Sequence, residues 1–164
     1  MERKTPLYQT HVDAGGKIVE FGGFLMPVQY PTGVLAEHMA VRQKAGLFDV
    51  SHMGELRLKG PDAVANVQKL ITADISAMRD GDIKYAMFCN DAGGILDDFI
   101  VYRCAADDYW LVVNAGNRDK DAAWVESHLF GDVDYRDEGD DWGQVALQGP
   151  RSGDILKKLC AEQY

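Results

Sequence analysis

The sequence predicts an α+β fold, a mostly antiparallel sheet with helices packed on one face. Three observations predict it. Strand-like segments are interleaved with two helical ones. A Gly-rich turn, Asn90-Asp91-Ala92-Gly93-Gly94, joins two of the strands as a hairpin. Leu56 and Leu58 point one way while Glu55, Arg57 and Lys59 point the other, the alternation of a half-buried strand.

Taken in order, residues 5–33 are dense in Gly and Pro, interrupted by a short apolar stretch from Ile18 to Phe21. Such a segment is too long for an ordinary connection, so it is expected to be a functional loop or to pack on another element through Phe21, Phe24 and Tyr30. A helix is predicted over Val34 to Ala45, with Leu35, Met39 and Arg42 along one side and Gly46 as its stop. Pro61 opens a second helix, whose apolar face is Val64, Val67, Leu70 and Ile71. Tyr85–Cys89 and Ile95–Arg103 are the hairpin strands, and Tyr109–Val113 is another. Asn117 is placed to cap a helix running to about Phe130. Short strands at 133–135 and 145–147 and a helix over 150–159 complete the pattern.

Composition narrows the function. With 164 residues the chain reads as one domain. No apolar run approaches the roughly 20 residues of a membrane-spanning helix, and Met1 to Thr5 lead into no signal-peptide core. A cytoplasmic protein is expected, or a mature form that has lost a transit segment. A net charge of −9 argues against nucleic acid or an anionic membrane as partner. Cys89, Cys104 and Cys160 form no C-x-x-C pair and read as reduced, small hydrophobes. His11, His38, His52 and His128 show no metal-ligand spacing, so no metal is expected. Gly-x-Gly-x-x-Gly is absent, leaving a dinucleotide site without support.

Three segments carry candidate chemistry. Along Ile95–Tyr102, Asp97 shares a face with Ile95, Phe99 and Val101, and Asp98 with Leu96, Ile100 and Tyr102. Both faces are otherwise apolar, so the strand is expected to be buried on both sides, where an ionised carboxylate is costly unless paired. Either one aspartate opens into a ligand pocket, or both cap the turn at the strand's start. Phe48-Asp49-Val50-Ser51-His52-Met53-Gly54-Glu55 gathers a carboxylate, a hydroxyl and an imidazole. Adjacent residues of an extended chain point apart, which favours a polar turn with a satisfied histidine over a triad. Asn114, at a strand's end before a small-residue turn into a helix, is a common ligand position, although a simple turn and cap would look the same.

Lys4-Thr5-Pro6-Leu7-Tyr8, Met26-Pro27-Val28-Gln29-Tyr30, Phe48-Asp49-Val50-Ser51-His52-Met53-Gly54, Asp91-Ala92-Gly93-Gly94-Ile95-Leu96-Asp97-Asp98, Val112-Val113-Asn114-Ala115 and Gln148-Gly149-Pro150 occur in that order. Together they resemble the glycine cleavage T-proteins, the aminomethyltransferases of that system, over nearly the whole chain. The resemblance implies an α+β region with ferredoxin-like elements that binds tetrahydrofolate as co-substrate, with no metal. It implies transfer of an aminomethyl carbon from the lipoyl arm of the H-protein, giving 5,10-methylenetetrahydrofolate and ammonia. By the same resemblance Asp98 reaches the folate and is the catalytic residue, while Met53, Tyr85, Tyr102 and Asn114 line the pocket. Asp98 is expected to orient the folate and to stabilise positive charge as its nitrogen attacks the methylene carbon. The expected organisation is a loop-rich segment and helix over 1–50, packed on a folate-binding core over 51–164 that looks cut at its C-terminus. Location in the cytoplasm, or in the mitochondrial matrix of a eukaryote, is expected, with no nucleic-acid or membrane partner. Relatives of the fold that demethylate other one-carbon donors, and folate-binding proteins without transferase activity, are the alternatives. One such branch carries a Lys-Gly-Cys-x-x-Gly-Gln-Glu signature, which this chain lacks.

Overall fold

Short apolar runs punctuated by glycine give ten strands and five helices among the described residues, 2–160, of a computed structural model. Residue 1 and residues 161–164 lie outside them. The chain divides into two compact units, one formed by residues up to His52 together with those from Gly143 on, the other by Met53–Trp142.

The second unit holds the core. Its five strands are β5 (Gly54–Lys59), β6 (Ile83–Cys89), β7 (Ile95–Ala105), β8 (Asp108–Val113) and β9 (Asp134–Asp137). They form one antiparallel sheet in the order β6-β7-β8-β5-β9. Helices α3 (Ala63–Leu70) and α4 (Arg118–Ser127) supply Ala63, Val67, Leu70 and Val125 to a cluster with Leu56, Leu58, Phe88, Phe99, Val101, Leu111 and Val113. These residues alternate along their strands, so one face of the sheet is covered and the other carries no helix of this unit. Phe88 and Phe99 stack with ring centroids 4.0 Å apart at the centre. The predicted α+β class and antiparallel sheet are what the structure shows.

The expectation that β7 is buried on both faces is corrected. Asp97, Phe99 and Val101 are buried, whereas Asp98 is exposed and Ile100 and Tyr102 are only half-buried. Two helices shield one side of a five-stranded sheet, and on the other side Ile100 and Tyr102 remain partly accessible while Val112 is buried. The helix expected to start at Pro61 begins at Ala63, with Asp62 at the N-cap position.

The first unit corrects the expected loop at 5–33. Here β1 (Arg3–Lys4), α1 (Tyr8–Asp13), β2 (Lys17–Phe21) and β3 (Phe24–Gln29) form, and β3 pairs with both β1 and β2. The hairpin β2–β3 turns on Gly22-Gly23, whose φ angles of 58° and 85° fit the primed two-residue turns that match strand twist. Pro27 lacks an N–H, and the register shifts between Lys17 and Ile18, beside the pairing of Ile18 with Pro27. What reads as breakers in the sequence is the turn and bulge chemistry of a ribbon. The remaining elements are α2 (Val34–Gln43), β4 (Gly46–Asp49), β10 (Val145–Gln148), which pairs antiparallel with β4, and the short α5 (Ser152–Leu156). Helix α2 buries none of its residues, and Leu35 on its predicted apolar side is 83% exposed.

Candidate functional site

The helix-free face of the five-stranded sheet brings the candidate residues into one neighbourhood. Cross-strand pairs fix their rows: Met87 stands opposite Asp98, Tyr85 opposite Ile100, and Ile83 opposite Tyr102. On the other side of β7, Val112 faces Ile100 and Trp110 faces Tyr102. Tyr85, Asp98 and Tyr102 therefore share this face with Ile100, Trp110 and Val112.

Three of the five candidates are joined directly. Tyr85 donates its phenolic hydrogen to the Asp98 carboxylate. Asn114 donates from Nδ2 to the Asp98 carbonyl at 2.7 Å. Tyr102 lies two positions further along the same face, roughly 13 Å from Asp98 by strand rise. Met53 immediately precedes Gly54, which pairs with Val113 beside Asn114. Tyr85 is 62% exposed and Asp98 is exposed, so a carboxylate and an aromatic hydroxyl stand in the open beside the half-buried Ile100 and Tyr102. Trp110 meets Trp142 edge-on at 4.8 Å, and the Arg57 guanidinium lies 5.6 Å from its ring centroid. Arg57 is held by Asp108 through bonds of 2.8 and 2.6 Å, which push its pKa up.

Beneath the open face lies a polar cluster. Asp97 is buried and accepts from Asn114 Nδ2 at 3.0 Å, Asn114 N at 3.2 Å and Asn117 Nδ2 at 2.7 Å. Burial raises its pKa, but hydrogen bonds from Asp121, Asn114 and Asn117 outweigh that and hold it below the usual carboxylate range. Asp121, fully buried on α4, is pushed up to about 7 by burial and by its contact with Asp97, against the opposing pull of Lys120. Asn117 sits at the N-cap position of α4 but makes no side-chain cap. Its amide serves Asp97 instead, which corrects the expected cap. Asp121 escaped sequence reasoning. The only hint is its spacing, four residues after Asn117.

The segment around Ser51 and His52 does not form a triad. Ser51 exchanges hydrogen bonds with Gln144, donating to its carbonyl at 3.1 Å and accepting from its N–H at 2.9 Å. His52 is buried against Phe21 and Phe24, and its Nδ1 has no hydrogen-bond partner among the described residues. It is therefore not the satisfied histidine expected of a polar turn; burial pushes its pKa down, against the opposing charge of Asp49. Asp49 pairs elsewhere, with Thr5 Oγ1 at 2.7 Å and His11 Nε2 at 2.8 Å, while His11 Nδ1 lies 2.7 Å from the Tyr30 hydroxyl. His11, Tyr30 and Asp49 line a cavity of about 500 Å³ in the first unit, together with Met26, Val34 and Phe48. Sequence reasoning missed it because its members are far apart in the chain. Among the described residues no group of three or more His, Cys, Asp or Glu is arranged to hold a metal.

Comparison with known proteins places this geometry. The model of the GCVT N-terminal domain matches residues 7–164. The chain belongs to that family. An aminomethyltransferase of Desulfitobacterium hafniense is 51% identical over 160 residues, which are 97% of this chain and 44% of that protein. An aminomethyltransferase of Staphylococcus haemolyticus is 49% identical over 159 residues, 96% of this chain and 43% of the relative. The crystal structure of glycine cleavage system aminomethyltransferase T from Bartonella henselae superposes with a TM-score of 0.89 at 38% identity, over 96% of this chain and 44% of that one. The chain thus spans less than half the length of the curated relatives it matches.

Proposed function

We propose that this chain carries the folate-facing part of a tetrahydrofolate-dependent aminomethyltransferase of glycine cleavage. The reaction moves an aminomethyl carbon from the lipoyl arm of an H-protein to tetrahydrofolate, with release of ammonia and no metal. Tetrahydrofolate supplies the nitrogen that accepts the carbon. The observation that supports the reading most is the exposed Asp98 on the helix-free face, hydrogen-bonded to Tyr85 and flanked by Asn114, in a chain of the GCVT N-terminal domain family. Residues 51–164 are the proposed folate-binding core, and Asp98, Tyr85, Tyr102, Met53 and Asn114 the proposed site. The bacterial relatives support a cytoplasmic setting, and no helix among the described residues is long and apolar enough to cross a membrane.

The residues present suit a pterin. A carboxylate accepts hydrogen bonds from ring N–H groups, and Tyr85, Tyr102 and Ile100 offer flat apolar surface beside it. In this role Asp98 holds the ligand's nitrogen in place and offsets positive charge developing next to it, a positional and electrostatic contribution. Tyr85 holds the carboxylate, and Asn114 holds the backbone that carries it.

The test is a calorimetric titration of the purified chain with tetrahydrofolate, alongside Asp98→Asn. Saturable binding that the variant weakens by about tenfold or more, the worth of one charge-assisted hydrogen bond, is the expected result. Binding of equal strength in both proteins would remove Asp98 from the site. Absence of binding at millimolar tetrahydrofolate would count against a folate site in this chain.

A further inference from the structure

The cluster under Asp98 holds one more carboxyl than its surroundings can satisfy as anions. Asp97 already accepts three N–H donors, from Asn114 and Asn117. Asp121, 0% exposed, finds no N–H or O–H donor of its own among the described residues. Its cation, Lys120 Nζ, stands 3.6 Å away, beyond a good hydrogen bond, and also donates to the Leu96 carbonyl; its pull lowers the Asp121 pKa but does not outweigh burial and Asp97. Two adjacent buried carboxylates cannot both ionise cheaply, so the pair keeps a proton. A proton on Asp121 gives Asp97 its fourth donor. Asp97 in turn fixes Asn114, whose amide also grips the Asp98 carbonyl.

Resting on the folate reading above, we propose that Asp121 is a positioning residue for that site: its carboxylic acid donates to Asp97, and through Asp97 it sets Asn114 and the backbone of Asp98 against the ligand. The proton, not the side chain's bulk, does the holding. When it leaves, two anions face each other beneath the site, and Asn114 and Asn117 are pulled between them. The groups facing Asp121 are Asp97 on β7 and Lys120 on α4; Asn114 and Asn117 at the start of α4 are neutral.

The experiment compares the full chain with Asp121→Asn, whose amide donates to Asp97 at every pH, and with Asp121→Leu, which donates at none. The Asn114 side-chain amide and Asp98 backbone amide resonances are followed by NMR from pH 6 to 8.5, and tetrahydrofolate affinity is measured across the same range. In the wild type both resonances should move with a midpoint near 7. Affinity should fall by about tenfold over the same interval, the worth of one strong hydrogen bond. Asp121→Asn should abolish the resonance transition and keep the low-pH affinity throughout. Asp121→Leu, or a second neutral variant should it fail to fold, should bind weakly at all pH values.

Asn114 and Asp98 resonances that stay flat in the wild type would overturn the proposal, since no titrating proton would then reach the site. So would a pH-dependence of affinity that is identical in wild type and Asp121→Asn, because the cluster would then be structural only. Absence of tetrahydrofolate binding with the resonance transition intact would locate the failure in the folate reading and would end the positioning role with it.

Discussion

Glu55→Gln should make the protein more stable, and increasingly so as pH rises. Glu55 is 3% exposed, and neither carboxylate oxygen has a hydrogen-bond partner among the described residues. Burial pushes its pKa from 4.5 up to about 7; Arg118 opposes the shift, and Asp137, Asp140 and Glu138 add to it. A group raised in the folded state contributes its full stability below its unfolded value and loses it as pH climbs to the folded one. With a value near 4.5 unfolded and about 7 folded, linkage removes roughly 2–3 kcal/mol between pH 5 and pH 8. Glutamine never carries the charge, so the variant's advantage over wild type should grow by that amount over the same interval. Asp121 titrates in both proteins and cancels in the difference. All three tryptophans, Trp110, Trp124 and Trp142, lie in the Met53–Trp142 unit. Urea denaturation followed by their fluorescence at pH 5, 6, 7 and 8 reads that unit directly. A stability difference that does not change with pH would refute the argument, whatever its sign.

Other substitutions test the packing. Leu58→Ala empties a fully buried site on the helix-covered face and should cost about 2–5 kcal/mol in the same denaturation assay. Gly54→Ala would place a Cβ 2.7 Å from Arg118 Cγ and 2.9 Å from Val113 Cγ2, so about 1–3 kcal/mol of overpacking is expected; an unchanged urea midpoint would show that the strand shifts freely. Asp98→Asn should leave the unfolding free energy within about 0.5 kcal/mol of wild type, since Asp98 is exposed, and a larger loss would make it a structural residue.

Much of the second unit could be read from periodicity, because the face under α3 and α4 is continuously apolar, although Glu55, which alternation sends to the opposite face, is buried as well. Leu56 and Leu58 alternate, and Val67 and Leu70 recur at helical spacing, so the residues that meet in the core announce it locally. The Asp97-Asp98 pair shows where local reading stops. Alternation says that the two face apart, but which face is covered depends on where α3 and α4 pack, which is a tertiary matter. The ribbon at the N-terminus was hidden for a different reason. Gly22-Gly23 and Pro27 are breakers by propensity, and only their positive φ and register shift turn them into hairpin devices. The Asp49–His11 pair spans 38 positions, and no local spacing rule links residues that far apart. Asp121 reads as a solvated helix acid. Its burial came from contact with Asp97, which the sequence does not display.

The pairing of β4 with β10 sets an order of events during synthesis. Asp49 waits for Val145, and Gly46 for Gln148, while everything needed for the sheet from β5 to β9 lies between them in the chain. The inserted unit can therefore collapse on the ribosome while β4 still has both edges bare. Once Val145 to Gln148 emerge, the ends that close the ladder have already been drawn together by the folded insert, which shortens the loop to be closed and lowers its entropic cost. A released chain ending before residue 145 should already shield Trp110 and Trp124 from quenchers while strand β4 remains open to protease.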